Sequence, residues 1–132
     1  MADGIRFLSV DDVLAIQEDT IRHDGGLAGV RDPGLLESAV TMPRQAIGGE
    51  YLHPDLAAMA AAYLYHIAQN HPFHDGNKRA GAMAALVFLR VNGVETLPDQ
   101  HEMEKTTLRV AGGEMVKAEL TQWLREATAE SS

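Results

Sequence analysis

Long apolar segments are missing from this sequence of 132 residues. It has no run of about 18 consecutive uncharged apolar residues, the length that a membrane-spanning helix needs. It also lacks the basic segment followed by an apolar one that begins a secretory signal. Cysteine is absent as well, which agrees with a reducing compartment but discriminates little. We therefore expect a soluble, cytoplasmic protein without a membrane partner.

Positive charge is scarce. The sequence has 11 lysines and arginines against 19 aspartates and glutamates, and its formal net charge is -8. Nucleic acids and anionic membranes are bound by cationic faces, so we expect no direct binding to nucleic acid. A basic or mixed-charge protein partner fits better. The sequence still leaves room for Lys78, Arg79 and Arg90 to form one positive hollow on an acidic body.

Linkers, internal repeats and low-complexity segments are also missing, so we predict a single domain over residues 1–132. A domain of this size buries roughly two thirds of its extended-chain surface, which is enough for a real core. Capping residues and apolar periodicity predict six helices. They cover about residues 10–22, a short helix from Pro33 stopped by Pro43, residues 54–70, 77–91 and 99–111, and a last helix with its stripe at Val116, Leu120, Trp123 and Leu124.

The fold prediction is all-α, a bundle of roughly six helices. Residues 44–53 contain two adjacent glycines and no periodicity, which predicts a loop. Residues 94–97 give the one weak strand signal, and residues 127–132 are expected to fray.

The most informative stretch is a polar run between two apolar, alanine-rich helices. Residues 71–79 read His-Pro-Phe-His-Asp-Gly-Asn-Lys-Arg. Pro72 cannot continue the first helix and disfavours helical geometry at the residue before it, so the polar residues lie in a forced turn. Gly76 and Asn77 then open the second helix with free backbone N–H groups at the positive end of its dipole. This arrangement predicts an anion site, with phosphate as the expected ligand.

The polar run resembles the motif H-x-F-x-[D/E]-G-N-[G/K]-R of the Fic/Doc family. Lys78 makes it similar to the Doc (death on curing) toxin branch of type II toxin–antitoxin systems. Residues 25–38 also resemble the amino-terminal part of Doc-like proteins, and residues 88–93 the end of their central helix. A chance match to the motif is on the order of one in a hundred million per start position. The resemblance implies a Fic/Doc-like bundle with the active-site loop between two central buried helices.

His71 and Asp75 are the candidate catalytic and metal-binding residues. An imidazole can take a proton from a hydroxyl near neutral pH, and the resemblance implies this role toward a hydroxyl of a target protein. A lone histidine would more often only bond across a helix end. Asp75 is a hard oxygen ligand suited to Mg²⁺, as the resemblance also implies, although an isolated aspartate here would more often be a cap.

The remaining motif residues divide into phosphate ligands and supports. Phe73 is predicted to be the structural anchor of the loop, and His74 to face solvent or substrate. The four residues that follow Asp75 are predicted to supply hydrogen-bond donors and positive charge for the phosphates of ATP. If they bound no anion, they would simply form a solvated first turn of the helix. These candidate nucleotide-binding residues are Gly76, Asn77, Lys78 and Arg79.

Two reactions remain open. The Doc branch implies a protein kinase that transfers the γ-phosphate of ATP to a threonine of translation elongation factor Tu and stops protein synthesis. Fic members that transfer AMP carry glycine where this chain has Lys78 and a second arginine where it has Ala82. Gly76, however, is shared with AMP-transferring members. Protein phosphorylation is therefore the prediction, and AMP transfer is the alternative.

The resemblance also implies partners. Many Fic proteins carry an inhibitory helix of pattern [S/T]-x-x-x-E-[G/N], which this sequence lacks. Control in trans by a Phd-like antitoxin, whose tail folds on binding, is therefore expected. The resemblance further suggests a flap that docks an extended target peptide, formed by Ile47, Gly48, Gly49, Glu50 and Tyr51.

The sequence leaves two alternatives to this function open. His74 and Asp75 form a His-Asp pair, as in metal-dependent phosphohydrolases of the HD type. The further metal ligands would then be His53, His66 and Asp99. The other alternative is a non-catalytic Fic-fold binding module, but the motif residues of the polar run are intact, which argues against it.

Overall fold

Six α-helices and one small β-hairpin form the described chain, residues 4–129 of the computed structural model. This architecture confirms the all-α prediction. The elements are α1 (Val10–Asp24), α2 (Pro33–Thr41) with a 3₁₀ turn (Met42–Arg44), β1 (Ala46–Ile47), β2 (Glu50–Tyr51), α3 (Leu56–Asn70), α4 (Asn77–Val91), α5 (Gln100–Ala111) and α6 (Lys117–Ala127).

Side-chain caps set the starts of the first three helices. Ser9 forms the predicted capping box at α1, and the carboxylate of Asp32 accepts from the N–H of Leu35 at α2. At α3 the cap is Asp55, whose Oδ1 accepts from Ala58 N at 2.9 Å. This helix therefore begins at Leu56, two residues after the predicted start.

The centre of the bundle is α3, which contacts α2, α4, α5 and α6. Its many alanines are buried, together with the larger Met59, Tyr63, Leu64 and Ile67. The α4 backbone comes close at Gly81, where a Cβ would lie 3.1 Å from the carbonyl oxygen of Leu64. This approach makes α3 and α4 a tight hairpin, as predicted, and the polar loop connects their adjacent ends.

Two local predictions differ from the structure, and a third falls partly outside the described residues. Within the predicted loop at residues 44–53, β1 and β2 pair as an antiparallel hairpin. Its turn residues Gly48 and Gly49 both have positive φ, as the favoured two-residue hairpin turn requires, and two-residue strands are too short to show periodicity. Residues 94–97 do not form a strand, and the N–H of Val94 instead bonds to Leu89 O at the end of α4. Of the segment expected to fray, residues 130–132 lie outside the described range.

In the described part of the chain, no helix combines the length and the hydropathy that crossing a membrane requires.

Candidate functional site

The polar loop is fastened to the core by Phe73 and Asn77. The Phe73 ring is fully buried. Asn77 is 8% exposed, and its side-chain amide accepts from the N–H of Phe73 and donates to the Phe73 carbonyl. The side chain of Asn77 therefore closes the loop, and its backbone N–H is the group that remains to meet a phosphate.

A second fastening comes from the segment that precedes α2. His74 N donates to Gly29 O at 3.1 Å, and Val30 pairs with Phe73 in an isolated antiparallel bridge. The backbone N–H groups of Arg31 and of the next residue both donate to Pro72 O, at 2.7 and 3.0 Å. Sequence reasoning missed this pairing because the two segments are far apart in the chain.

His71 lies at the end of α3 in the left-handed conformation, with φ 50° and ψ 60°. It is the one residue other than glycine with positive φ in the described range. Pro72 disfavours right-handed helical geometry at this position, and a left-handed residue is a common way to end a helix. The side chain is exposed, so the imidazole is open to a hydroxyl brought by another molecule.

A cleft of about 570 Å³ opens beside the loop, between α1, α4 and α5. The structure brings five of the predicted residues together in its wall, while His71 lies outside the lining set. The lining residues are Thr20, Asp24, Gly25, Gly26, Asp75, Gly76, Asn77, Lys78, Arg79, Ala82, Glu104, Thr107 and Leu108.

The amino terminus of α4 points its donors toward this cleft. Its N-cap residue Gly76 is left-handed, with φ 76°, and no side chain caps the helix. The first-turn N–H groups therefore need an external acceptor. A Cβ at Gly76 would lie 3.2 Å from Thr20 Cγ2 and 3.3 Å from Ile21 Cδ1, so glycine also permits close contact with α1. This geometry suits an anion.

Asp75 is oriented by two contacts with the chain's amino-terminal third. Its Oδ2 accepts from Leu27 N at 2.7 Å, and its carbonyl oxygen accepts from Gln17 Nε2 at 3.1 Å. The other carboxylate oxygen, Oδ1, makes no hydrogen bond to residues 4–129. Across that range no three acidic or histidine side chains are arranged to hold a metal ion. One carboxylate fits Mg²⁺ that arrives with phosphates, because Mg²⁺ needs few protein ligands in nucleotide sites.

Arg79 is held by carboxylates from two other helices. Its Nε lies 3.3 Å from Asp24 Oδ2 on α1, and its Nη2 lies 4.0 Å from Glu104 Oε1 on α5. With Lys78 and Asp75 included, the cleft holds two basic and three acidic side chains. The positive hollow allowed by the sequence is therefore of mixed charge, and Arg90 is not part of its lining. Pairings between distant helices could not be read from local sequence.

The histidines of the phosphohydrolase reading lie elsewhere. His53 Nε2 and His66 Nε2 lie 3.3 and 3.2 Å from Lys117 Nζ, so one ammonium group joins the two rings. Burial, and then the charge of Lys117, lower the pKa of His66 to about 4, and the same two causes lower that of His53. Among the described residues no group of three acidic or histidine side chains is placed to hold a metal ion, so the structure gives the phosphohydrolase alternative no support.

The predicted flap is the β1–β2 hairpin. Tyr51 at its base packs edge-on against Phe7, with ring centroids 5.5 Å apart. Ile47 on the other strand is 71% exposed. The hairpin therefore has an anchored base and an apolar side chain presented to solvent.

Comparison with known proteins gives consistent results. The family model described as "Fic/DOC family" matches residues 7–89. The chain is 34% identical over 121 residues to "Protein kinase doc" of Escherichia phage P1, an alignment that covers 92% of this chain and 94% of the relative. It is 45% identical over 75 residues to "Toxin Doc" of Mycolicibacterium smegmatis, covering 57% of this chain and 58% of that protein.

Proposed function

This chain belongs to the Fic/DOC family, within its Doc branch, and we propose that it is a toxin that transfers the γ-phosphate of ATP to a protein hydroxyl. The acceptor is a threonine of a cytoplasmic translation protein, elongation factor Tu, and the result is arrest of protein synthesis. The names of its two relatives support the toxin and kinase assignments, and Lys78 supports the choice of reaction.

The observation that carries the proposal is the position of residues 75–79. They line one cleft at a helix amino terminus without a side-chain cap, at the end of the loop that begins with His71. Phosphoryl transfer asks a protein mainly for alignment and charge neutralisation. This cleft offers oriented N–H groups, two basic side chains and the carboxylate of Asp75, whose Oδ1 makes no hydrogen bond to the described residues.

Each residue has a defined part in the reaction. The first-turn N–H groups of α4, with Lys78 and Arg79, bind the phosphates of ATP. Asp75 would hold Mg²⁺, which supplies positive charge against the phosphate oxygens. His71 accepts the proton of the target hydroxyl while the hydroxyl oxygen bonds to the γ-phosphorus. The bond from that phosphorus to the bridging oxygen breaks, and ADP leaves with the bridging oxygen.

AMP transfer is the second candidate, and Gly76 is the residue that favours it. In that reaction the hydroxyl attacks the α-phosphorus, and pyrophosphate leaves. Ala82 lies in the cleft wall at the position where AMP-transferring members carry a second arginine, which counts against this reaction.

The proposal includes two protein partners. A Phd-like antitoxin restrains the enzyme in trans, in agreement with the relative named "Toxin Doc". The target protein is held as an extended segment beside the hairpin, where Ile47 is exposed.

The test is the mass gained by modified protein. Purified protein is incubated with Mg²⁺-ATP and a translation extract, and proteins of the extract are analysed by intact mass. We expect a gain of about 80 Da on elongation factor Tu, one phosphoryl group. The variant His71→Ala should fold normally and give no gain, whereas His101→Ala, at an exposed site on α5, should act as the wild type. A gain of about 329 Da, one AMP, would establish the alternative reaction.

A further inference from the structure

The carbonyl groups of residues 70–72, on either side of the proposed base His71, all accept hydrogen bonds from Arg31 and Asp32. The Arg31 side chain donates from Nη2 to Asn70 O at 2.9 Å and from Nε to His71 O at 2.7 Å. The backbone N–H groups of Arg31 and Asp32 donate to Pro72 O. The last carbonyls of a helix have no partners within it, and here the carbonyls at the end of α3 and just beyond it accept hydrogen bonds from residues outside α3.

The Arg31 contacts act on a strained residue. A left-handed conformation costs about 1–2 kcal/mol for a residue with a Cβ, and His71 is the one non-glycine residue in the described range that adopts it. A guanidinium presents its donors in a planar, rigid fork, so its two bonds fix the relative orientation of two successive peptide groups. Those two peptide groups flank the Cα of His71, so their orientation sets the direction in which the His71 side chain leaves the backbone.

Arg31 is also separate from the nucleotide cleft. It is not among the lining residues of that cleft, and it forms no ion pair with the described acidic side chains. The side-chain hydrogen bonds of Arg31 go to Asn70 and His71 alone among the described residues. Its contacts therefore concern the position of the base and not the binding of phosphate.

We propose that Arg31 is a positioning residue that holds the His71 imidazole in the geometry for proton transfer. The inference rests on the proposed function, since it takes His71 to be the base. Loss of the fork lets the turn at residues 70–72 sample other conformations, so the imidazole is in place for a smaller fraction of time. The transfer rate falls while ATP binding is retained.

The experiment compares Arg31→Met with Arg22→Met. Both substitutions remove one exposed arginine, but among the described residues Arg22 pairs only with Asp19, on its own helix. We expect Arg31→Met to lower kcat roughly 10- to 100-fold, the scale of effect of a misplaced catalytic group, with the Kd for ATP within about twofold of the wild type. Arg31→Lys, which carries one donor group instead of a fork, should give an intermediate kcat. Arg22→Met should leave both quantities unchanged.

A second readout does not depend on activity. The imidazole Cε1–H signal of His71 in the NMR spectrum, identified by its loss in His71→Ala, should be single in the wild type and broadened or doubled in Arg31→Met. If the wild type modifies no protein, the proposed function fails, and this signal still decides whether Arg31 positions His71.

Three results would overturn the proposal. They are an unchanged kcat in Arg31→Met, an unchanged His71 signal in that variant, or a loss of ATP affinity as large as the loss of kcat. Thermal unfolding checks that each variant is folded. If Arg31→Met is not, Arg31→Lys carries the same comparison.

Discussion

The side-chain amide of Asn77 and the backbone of Phe73 form a closed pair of hydrogen bonds, both 3.0 Å long. Asn77→Ala removes both bonds and leaves a buried N–H and carbonyl of Phe73 without partners. We expect the free energy of unfolding to fall by about 1–3 kcal/mol. The free energy of unfolding is measured by urea denaturation. The matched control is Gln100→Ala, because the exposed amide of Gln100 donates to Glu104 alone within residues 4–129. Equal stability of the two variants would contradict the structural role given to Asn77.

The left-handed glycine at the start of α4 should be costly to replace. Gly76→Ala introduces both backbone strain, about 1–2 kcal/mol, and contact with Thr20 and Ile21. Gly93→Ala is a matched control, because Gly93 also has positive φ, 89°, but nothing lies within 4 Å of its Cβ position. We expect Gly76→Ala to lower the free energy of unfolding more than Gly93→Ala does, and to weaken ATP binding as well. Equal losses in stability would show that α1 does not restrict this site.

The carboxylates beside Arg79 should compete with ATP. Because Arg79 is 45% exposed, its pairs with Asp24 and Glu104 are worth no more than about 1 kcal/mol. Asp24→Asn and Glu104→Gln should therefore each tighten ATP binding by up to about fivefold, as measured by calorimetry. The control is Glu102→Gln, on the same helix but paired with Lys105 and outside the cleft. The gain should shrink at high salt, and weaker binding in the cleft variants would show that these carboxylates assist the nucleotide.

The histidine pair at Lys117 should make stability depend on pH. The pKa of His66 is lowered to about 4 from 6.5, so the unfolded chain binds protons that the folded chain does not. Stability should therefore fall as the pH decreases from about 6.5 toward 4. His66→Gln should flatten this part of the profile in urea unfolding at several pH values. His101→Gln, at an exposed site, should not, and equal profiles for all three proteins would refute the prediction.

The exposed apolar side chain of the hairpin should matter for the protein substrate. Ile47→Ser should raise the KM for the target protein and leave the Kd for ATP unchanged, because Ile47 lies outside the cleft lining. Val116→Ser is the control, since this residue is 55% exposed at the start of α6. A KM that is the same in both variants would exclude a docking role for this strand.

Much of the fold was readable from local signals. Ser9, Asp32 and Pro33 mark helix starts by their own chemistry, so α1 and α2 were predicted within a few residues. The weak strand signal at residues 94–97 was wrong because apolar content alone does not supply a pairing strand. The hairpin was missed because its strands have two residues each.

The candidate site was predictable only where its residues are adjacent in the sequence. Residues 75–79 act through one helix start, so their gathering in one cleft follows from their adjacency in sequence. Asp24 and Glu104, which pair with Arg79, come from α1 and α5. No local sequence pattern predicts that these carboxylates lie beside Arg79. The side chain of Arg31 meets α3 only after the chain has folded back.

The last helix has a consequence for the order of events during synthesis. Leu120 and Leu124 of α6 are fully buried, and α6 packs on α3, the helix whose C-cap is His71. Domains fold as units, and α6 is the last of the described helices to be synthesised, so the packing that supports the loop at residues 71–79 is completed only after α6 has emerged.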